Sequence, residues 1–404
     1  MKLKHFKEHY VQIDSSKKGD VEMKSLQKKT IRNKSVFLLI VFISIFTIFG
    51  CSFESNKEKQ NDIKQTDNLP KETPEGGYDI IPLEIPEGEF DKAIGWLDNK
   101  TIVYISTVQQ GSNVYKYHLP TGRSTLLYKS DSPIVTVYIS PSRERILIHS
   151  SLSSYEGMIK ILTEEGEELV SETIKSYELA FEWNPYNENF LLVSSFTEEW
   201  DFHTYILNIE DKELSEFQLA EPFASWLTED ELIYLDWDAD HPSLLAPLKK
   251  VKYGNRKIEI IMTDLFQAKA FKDNIMTIRL SHESDNMGVY DFYSNELKLS
   301  SSFSVPLLSS YSDWLVPYFE FHPENKRFYT FRPRSSGGAD TYTGGFEFIY
   351  FDIETGKETI ILENGENEPV SCSPEGTLCL YGYQLEKFID VKNSLVFSIL
   401  KNGR

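Results

Sequence analysis

Short apolar runs alternate with turn residues along most of the chain after residue 78. The runs are rich in Val, Ile, Tyr and Phe, and they are separated by Gly, Pro, Asn and Asp, which is typical of β-strands joined by tight turns. No apolar stripe of helical period is long enough for a major helix. The pattern predicts an all-β domain over residues 78–404.

One strand–turn–strand unit recurs along this domain. Residues 370–381, VSCSPEGTLCLY, show it most plainly, with Pro374 and Gly376 supplying the backbone angles of a tight turn. Related turns begin at about residues 97, 140, 184, 227, 272, 322 and 373, a step of about 43 to 51 residues. Repeats of about 40 to 50 residues are typical of four-stranded propeller blades.

A second hairpin completes each unit. It is clearest in residues 346–362, where the turn centres on Thr355, and residues 114–123 and 205–214 resemble it. Each unit is then a four-stranded antiparallel sheet, which must pack its apolar faces on neighbouring sheets, as radial closure allows. The spacing predicts a β-propeller of seven blades. Six blades are the alternative, because the copy near Phe271 is weak.

The amino terminus has the pattern of an export signal. Residues 36–50 are uncharged and apolar, too short for a membrane span of about 20 residues, and basic residues precede them. Residues 1–50 are therefore interpreted as a signal peptide. Because four acidic residues lie among the lysines of residues 1–22, we hypothesise that translation starts at Met23.

The apolar run ends in Ile48-Phe49-Gly50-Cys51, which resembles the lipobox of bacterial lipoproteins. This resemblance implies that Cys51 carries diacylglycerol and becomes the first residue of the mature chain, at the outer face of the cytoplasmic membrane. An uncleaved signal anchor is the alternative. Residues 51–77 are polar and contain few apolar residues, so we expect this lipidated cysteine to be followed by a disordered linker.

The charge of the mature chain limits its partners. Removing residues 1–51 leaves 32 basic and 58 acidic residues, a formal charge of −26. Such a surface repels phosphate backbones and anionic lipids, so nucleic acid is excluded as a partner. We expect the membrane to be contacted through the lipid on Cys51 alone.

The turn Ser-Pro-x-Gly followed by an apolar strand, as in residues 373–380, resembles the repeat of TolB-type propellers. Together with the lipobox and the polar linker, it resembles the YqgU-like family of bacterial lipoproteins over residues 36–404. The resemblance implies a lipid-anchored propeller, described for that family as six-bladed, and no particular chemistry.

Only two cysteines remain in the mature chain beyond Cys51. Cys372 and Cys379 flank the turn at Pro374, and depending on the strand register they face each other, lie diagonally, or point to opposite faces of the sheet. We expect two small buried side chains, and a disulfide is the alternative.

The order of strands predicts where a binding site lies. The connections between second and third strands share one rim with the links between blades, and binding residues concentrate in such longer loops. Three loops there mix charged and aromatic residues. The candidate binding residues are Trp200, Asp201, His203, Asp236, Trp237, Asp238, Arg332, Arg334, Asp340 and Tyr342.

Catalytic and metal motifs are missing from the sequence. It contains no Gly-x-Ser-x-Gly elbow and no His-Glu-x-x-His, and the loop after Asp236 lacks the glycine and distal glutamate of a calcium loop. We therefore predict no catalytic residue, cofactor or metal, and a binding or assembly module for a protein or cell-envelope polymer. A hydrolase or lyase acting in the central channel, and a sensor of a small ligand or wall polymer, are the alternatives.

Overall fold

The computed structural model describes residues 80–401, with the exception of residues 239, 256 and 312. The predicted signal peptide, the lipidation site Cys51 and the predicted linker lie outside the described residues. Within those residues, no helix is both long and apolar enough to cross a membrane.

Within the described residues, seven four-stranded antiparallel sheets, here called blades 1 to 7, follow one another in sequence order. Their strands are β1 (Glu89–Trp96), β2 (Thr101–Val108), β3 (Gly111–His118) and β4 (Arg123–Ser130) in blade 1; β5 (Ile134–Ile139), β6 (Arg145–Ser153), β7 (Glu156–Thr163) and β8 (Glu168–Lys175) in blade 2; β9 (Glu178–Trp183), β10 (Phe190–Phe196), β11 (Phe202–Asn208) and β12 (Glu213–Glu216) in blade 3; and β13 (Ser225–Trp226), β14 (Glu231–Leu235), β15 (Ala246–Lys252) and β16 (Ile258–Leu265) in blade 4.

The remaining strands are β17 (Gln267–Phe271), β18 (Asn274–Leu280), β19 (Met287–Ser294) and β20 (Leu299–Pro306) in blade 5; β23 (Phe319–His322), β24 (Arg327–Pro333), β26 (Phe346–Asp352) and β27 (Lys357–Gly365) in blade 6; and β28 (Val370–Cys372), β29 (Leu378–Tyr381), β30 (Lys387–Asp390) and β31 (Leu395–Ser398) in blade 7. A small extra sheet combines β21 (Leu308–Ser310), β22 (Asp313–Leu315) and β25 (Gly337–Gly338), and a short 3-10 turn (Ala339–Thr341) follows it.

The recurring turn joins the first and second strands in every blade, so the predicted fold and the count of seven blades are confirmed. In blade 7, Gly376 adopts φ +66° and its N–H donates to Ser373 O at 2.6 Å. Ser373 N–H in turn donates to Leu378 O at 2.7 Å. These two bonds close the tight turn that Pro374 and Gly376 predicted.

The core is divided among the junctions between blades. Seven apolar clusters each join two neighbouring blades, and one of them joins blade 7 to blade 1. Successive residues on a strand serve opposite junctions, since side chains alternate across a sheet. In β24, Phe328 packs toward blade 5 and Tyr329 packs toward blade 7, and both are fully buried. The ring is therefore closed by packing on both faces of each blade.

The first and last blades also meet through main-chain contacts. Leu83 forms a parallel bridge with Leu400, and Leu83 N–H donates to Ile399 O at 2.7 Å. Just before this bridge, Ile81 N–H donates to Leu119 O, at the turn between β3 and β4. The described chain therefore enters the propeller on the side of the short turns.

The two sides of the propeller differ. We call the side with the first-to-second and third-to-fourth turns the turn rim, and the side with the second-to-third loops and the links between blades the loop rim. Hydrogen bonds tie neighbouring blades together at the turn rim: Asn187 Nδ2–H donates to Glu229 Oε1 at 3.0 Å, and Glu375 N–H donates to Asn99 Oδ1 at 2.9 Å. The longer, irregular connections lie on the loop rim.

Cys372 and Cys379 are directly opposite each other on β28 and β29 and form a disulfide. The expectation of two unbonded side chains is therefore wrong, although both residues are buried as expected. The pairing register, which the sequence left open among three arrangements, brings the two Cβ atoms to the same face of the sheet.

Candidate binding site at the channel mouth

The inner strands of the blades surround a channel with a volume of about 1570 Å³. Residues of β1, β5, β9, β17, β23 and β28 line it, together with the link from β12 to β13. In blade 4 the inner strand β13 has only two residues. Lys269 of blade 5 reaches past it to Glu182 of blade 3, with Nζ and Oε2 2.7 Å apart.

The loop-rim end of this channel is acidic. The channel-lining residues at this rim include five carboxylates. They also include one lysine, Lys92 of β1, which precedes Ala93, whose N–H donates to Gln384 O in the β29–β30 loop at 2.9 Å. We call the five acidic residues the acidic mouth: Glu156, Glu178, Glu199, Asp201 and Glu221. Aromatic side chains line the same end, among them Tyr177, Trp200, Phe223 and Tyr383.

The tight turn of the β10–β11 loop places Trp200 at the mouth. Thr197 N–H donates to Asp201 O at 2.8 Å, and Trp200 N–H donates to Thr197 O at 3.0 Å. Trp200 adopts φ +69°, in the left-handed region that side chains other than glycine rarely occupy. Its ring packs on Phe196, with centroids 5.7 Å apart, so that the strained turn is held against the core.

The loops of blades 2 and 3 are connected beside the mouth. Tyr155 Oη–H donates to Glu198 Oε2 at 3.2 Å, and Tyr177 N–H donates to Phe196 O at 2.7 Å. The negative charge of Glu198 raises the pKa of the exposed Tyr155 phenol. Rigid connections between these loops keep the aromatic and acidic side chains at defined positions.

The turn-rim end of the channel has mixed charge. Arg143 of blade 2 and Glu324 of blade 6 form an ion pair across it, with Nη1 and Oε1 3.5 Å apart. Lys272 and Asp273 line this end as well. The channel is therefore electrostatically asymmetric along its axis, with the excess of negative charge at the loop rim.

Two of the ten candidate residues line the channel, Trp200 and Asp201. His203 is exposed on β11, beyond the mouth. Asp236 is paired with Lys249 of its own blade, with Oδ2 and Nζ 2.6 Å apart, and Asp238 contacts the exposed His241 at 3.1 Å. Trp237 lies between them and is half-buried. The acidic loop of blade 4 is thus separate from the channel.

The candidate arginines contact acceptors of their own blade. Arg332 is ion-paired with Glu347 at 2.7 Å and with Glu358, and Arg334 Nη2 donates to Asn364 Oδ1 at 3.0 Å. Both arginines line a separate groove of about 620 Å³ between blades 5 and 6.

The other two candidates of this loop lie near those arginines. Tyr342 Oη accepts from Arg334 N–H at 2.8 Å and donates to Gly345 O, which fixes the glycine-rich loop. Asp340 is exposed in the 3-10 turn. The ten candidates share one rim, but they occupy three separate places on it.

Sequence reasoning missed Glu178, Glu221, Phe223 and Tyr383 at the mouth. Glu178 is the first residue of β9, and Glu221 precedes β13 by four positions. Their position in the sequence could have identified them, because residues at or just before the start of an inner strand line the channel at the loop rim.

Fold and channel together define the class of the molecule, a β-propeller with an asymmetric central channel. The chain belongs to the family of YqgU-like 6-bladed β-propeller domains, which matches residues 118–382. That range holds blades 2 to 6 complete, but only the last strand of blade 1 and the first two strands of blade 7. The family description counts six blades, whereas the described residues form seven four-stranded sheets.

Similar proteins agree with this assignment. The chain is 25% identical over 360 residues to the uncharacterized lipoprotein YqgU of Bacillus subtilis (strain 168), covering 89% of this chain and 95% of the relative. Among solved structures, an uncharacterized protein of Listeria monocytogenes EGD-e has a TM-score of 0.73 at 22% identity, covering 80% of this chain and 98% of that chain. The propeller domain of the Trilobed protease from Pyrococcus furiosus has a TM-score of 0.52 at 11% identity, covering 79% of this chain and 99% of that domain. The two structures show the fold alone.

Proposed function

We propose that the chain is a lipid-anchored extracytoplasmic binding module, which holds a positively charged ligand at its acidic mouth. The observation that carries the proposal is the set of five carboxylates beside several aromatic side chains at one end of the channel. Carboxylates attract ammonium and guanidinium groups, and the faces of Trp200, Tyr177 and Tyr383 add cation–π attraction.

A basic segment of a partner protein fits this site best. The channel volume of about 1570 Å³ exceeds the ~300–1,000 Å³ typical of small-molecule pockets. The formal charge of −26 on the mature chain disfavours phosphate-rich polymers and speeds the approach of a basic partner. The ligand is therefore expected to be a lysine- or arginine-rich segment that enters at the loop rim.

The point of chain entry supports this orientation. Ile81 is bonded at the turn rim, so a chain leading back to Cys51 begins on the side opposite the acidic mouth. Residues 52–79 number 28, which corresponds to a reach of up to about 100 Å when extended. A segment of this length between Cys51 and the propeller is long enough for the acidic mouth to meet a partner outside the membrane.

The test uses a soluble chain that starts after Cys51 and a fluorescent lysine-rich peptide as the probe. The mouth variant Glu199→Gln/Trp200→Ala/Asp201→Asn is compared with Asp236→Asn/Trp237→Ala/Asp238→Asn. Both triads read acid–Trp–acid and lie on the loop rim, but only the first lines the channel. We expect the mouth variant to bind about tenfold or more weakly, and the matched control to bind like the wild type.

Ionic strength provides the second measurement. Binding by the wild-type chain should weaken as salt is raised, because the mouth acts through charge. Equal affinities for the two triad variants, or wild-type binding that is independent of salt, would rule out the mouth as the site. Pull-down from intact cells with the same two variants then identifies the partner as the protein that the mouth variant alone fails to capture.

A further inference from the structure

A second group of chemically reactive side chains lies between blades 6 and 7. A carboxylate oxygen of Glu320, a ring nitrogen of His322 and Sγ of Cys372 all lie within 4.8 Å of one another. Cys379 is joined to Cys372 by the disulfide. These residues are separate from the acidic mouth, and the proposal made here does not rest on the proposed function.

Two neighbouring inner strands build this cluster. Glu320 and His322 are two positions apart on β23, so their side chains leave the same face toward blade 7. Cys372 lies on β28, the inner strand of that blade, and its N–H donates to Glu320 Oε2. His322 Nε2 lies 3.6 Å from the same carboxylate oxygen.

The imidazole of His322 is buried within this cluster. His322 is 3% exposed, and its Nδ1 is buried without a hydrogen-bond partner. Nδ1 of His149 in blade 2 is equally buried and unpartnered. What distinguishes His322 is therefore the presence of the Glu320 carboxylate and the Cys372 sulfur beside its ring. The ring is held by Tyr329, whose centroid is 5.3 Å away in an edge-to-face arrangement. An imidazole fixed in this way beside a carboxylate and a sulfur atom is arranged as a metal ligand.

We propose that Glu320, His322, Cys372 and Cys379 form a redox-gated site for a zinc-type divalent cation. In the disulfide form, neither sulfur is available as a thiolate. A dithiol reductant transfers two electrons and two protons to the disulfide, breaks the S–S bond and becomes a disulfide itself. Each new thiol then releases its proton as the metal binds. Thiolate, imidazole and carboxylate are all donors that Zn²⁺ accepts, and four of them complete a tetrahedral site.

This site could not be read from the sequence. Its ligands lie about 50 residues apart, on two blades, and only the turn between the cysteines is local. The propeller brings them together because β23 and β28 occupy equivalent inner positions in adjacent blades. The prediction of no metal rested on local motifs, which do not detect such a cluster.

Cobalt serves as the probe because its complexes with thiolates absorb in the near-ultraviolet and visible range, whereas those of zinc are transparent there. The full chain in detergent is reduced with dithiothreitol, freed of reductant without air, and titrated with Co²⁺. We expect one equivalent to bind with a thiolate-to-cobalt charge-transfer band that Zn²⁺ abolishes. The oxidised chain and the Cys372→Ser/Cys379→Ser variant should show no band.

Single variants test the other two ligands. His322→Gln should weaken Co²⁺ binding by about tenfold or more, as expected for loss of a ligand. His149→Gln is the matched control, since His149 is also buried and also has an unpartnered Nδ1, but lies in blade 2. Glu320→Gln, which keeps the shape of the side chain, should likewise weaken binding and provides a second test should His322→Gln not fold.

Several results would overturn the metal site. These are a reduced wild-type chain without the charge-transfer band, or His322→Gln and Glu320→Gln chains that bind Co²⁺ as tightly as His149→Gln. Circular dichroism is recorded on the reduced chain as well. Loss of the propeller on reduction would also refute the proposal, because the ligands come from two packed blades.

Discussion

Trp96 donates its indole N–H to Ser371 O at 2.9 Å, although 275 positions separate the two residues in the sequence. Trp96 ends the inner strand of blade 1, and Ser371 lies on the inner strand of blade 7. Within the described residues these blades share no strand. This hydrogen bond, the apolar cluster around it and the bridge at Leu83 therefore join the two ends of the ring.

Replacing Trp96 should weaken this junction. Trp96→Phe keeps an aromatic ring but removes the indole N–H that donates to Ser371 O, and Trp96 is 3% exposed. We expect the free energy of unfolding to fall by about 1–3 kcal/mol, measured by urea denaturation. Trp237→Phe, on a half-buried loop of blade 4, should cost less. Equal losses of unfolding free energy in the two variants would mean that the indole hydrogen bond of Trp96 does not stabilise the contact between blades 1 and 7.

Two glycines with the same backbone angle provide a matched comparison. Gly356 and Gly376 adopt φ +68° and +66°, but a Cβ on Gly356 would meet open space, whereas a Cβ on Gly376 would overlap Tyr329 Oη. Gly356→Ala should cost about 1–2 kcal/mol, the strain of a left-handed residue. Gly376→Ala should cost about 1–3 kcal/mol more, because Tyr329 is fully buried and cannot move aside. The two unfolding free energies check this, and equal losses would contradict the clash.

Most of the fold followed from local chemistry. Turn residues such as Pro374 and Gly376 act over a few positions, and side-chain alternation on a strand has a period of two, so both can be read without tertiary information. Even the weak copy at Phe271 forms a blade, because Phe271 packs against Phe321 of the next blade with centroids 4.7 Å apart. There, packing against the neighbouring blade makes up for a weak local signal.

The site was only partly predictable, because distance from the axis is a tertiary property. The sequence placed Asp201 and Asp236 on the same rim, but only Asp201 lines the channel. Arg332, also a candidate binding residue, pairs with Glu347 and Glu358, which precede and follow the same hairpin turn of its own blade. The disulfide depended on strand register, which residue type does not determine.

Lipid anchoring gives a prediction that is independent of the channel. Cys51→Ala removes the only residue that the lipobox resemblance offers for acylation. We expect the variant to lose labelling by a clickable fatty acid and to leave the membrane fraction or remain unprocessed. Its circular dichroism should match the wild type, because Cys51 lies outside the described propeller. Unchanged lipid labelling would refute the lipoprotein assignment for this chain.

Acid should destabilise the propeller through His149. This residue is 5% exposed, and burial lowers the pKa of its imidazole from 6.5 to about 4. The unfolded chain therefore takes up a proton at His149 below about pH 6.5, while the folded chain does so only near pH 4. The contribution of neutral His149 is complete above pH 6.5 and is lost as the pH falls toward 4, by on the order of 3 kcal/mol in total.

His149→Gln removes the titrating group at the same position. Its free energy of unfolding should change less than that of the wild type between pH 7.5 and pH 4.5, because glutamine takes up no proton in either state. The free energy of unfolding is measured by urea denaturation at both pH values for each protein. The loss between pH 7.5 and pH 4.5 in the variant is then subtracted from the loss in the wild type. This subtraction cancels the titration of every other group as well as any loss of packing that does not depend on pH. If wild type and variant lose the same free energy on acidification, protonation of His149 is not what destabilises the folded propeller.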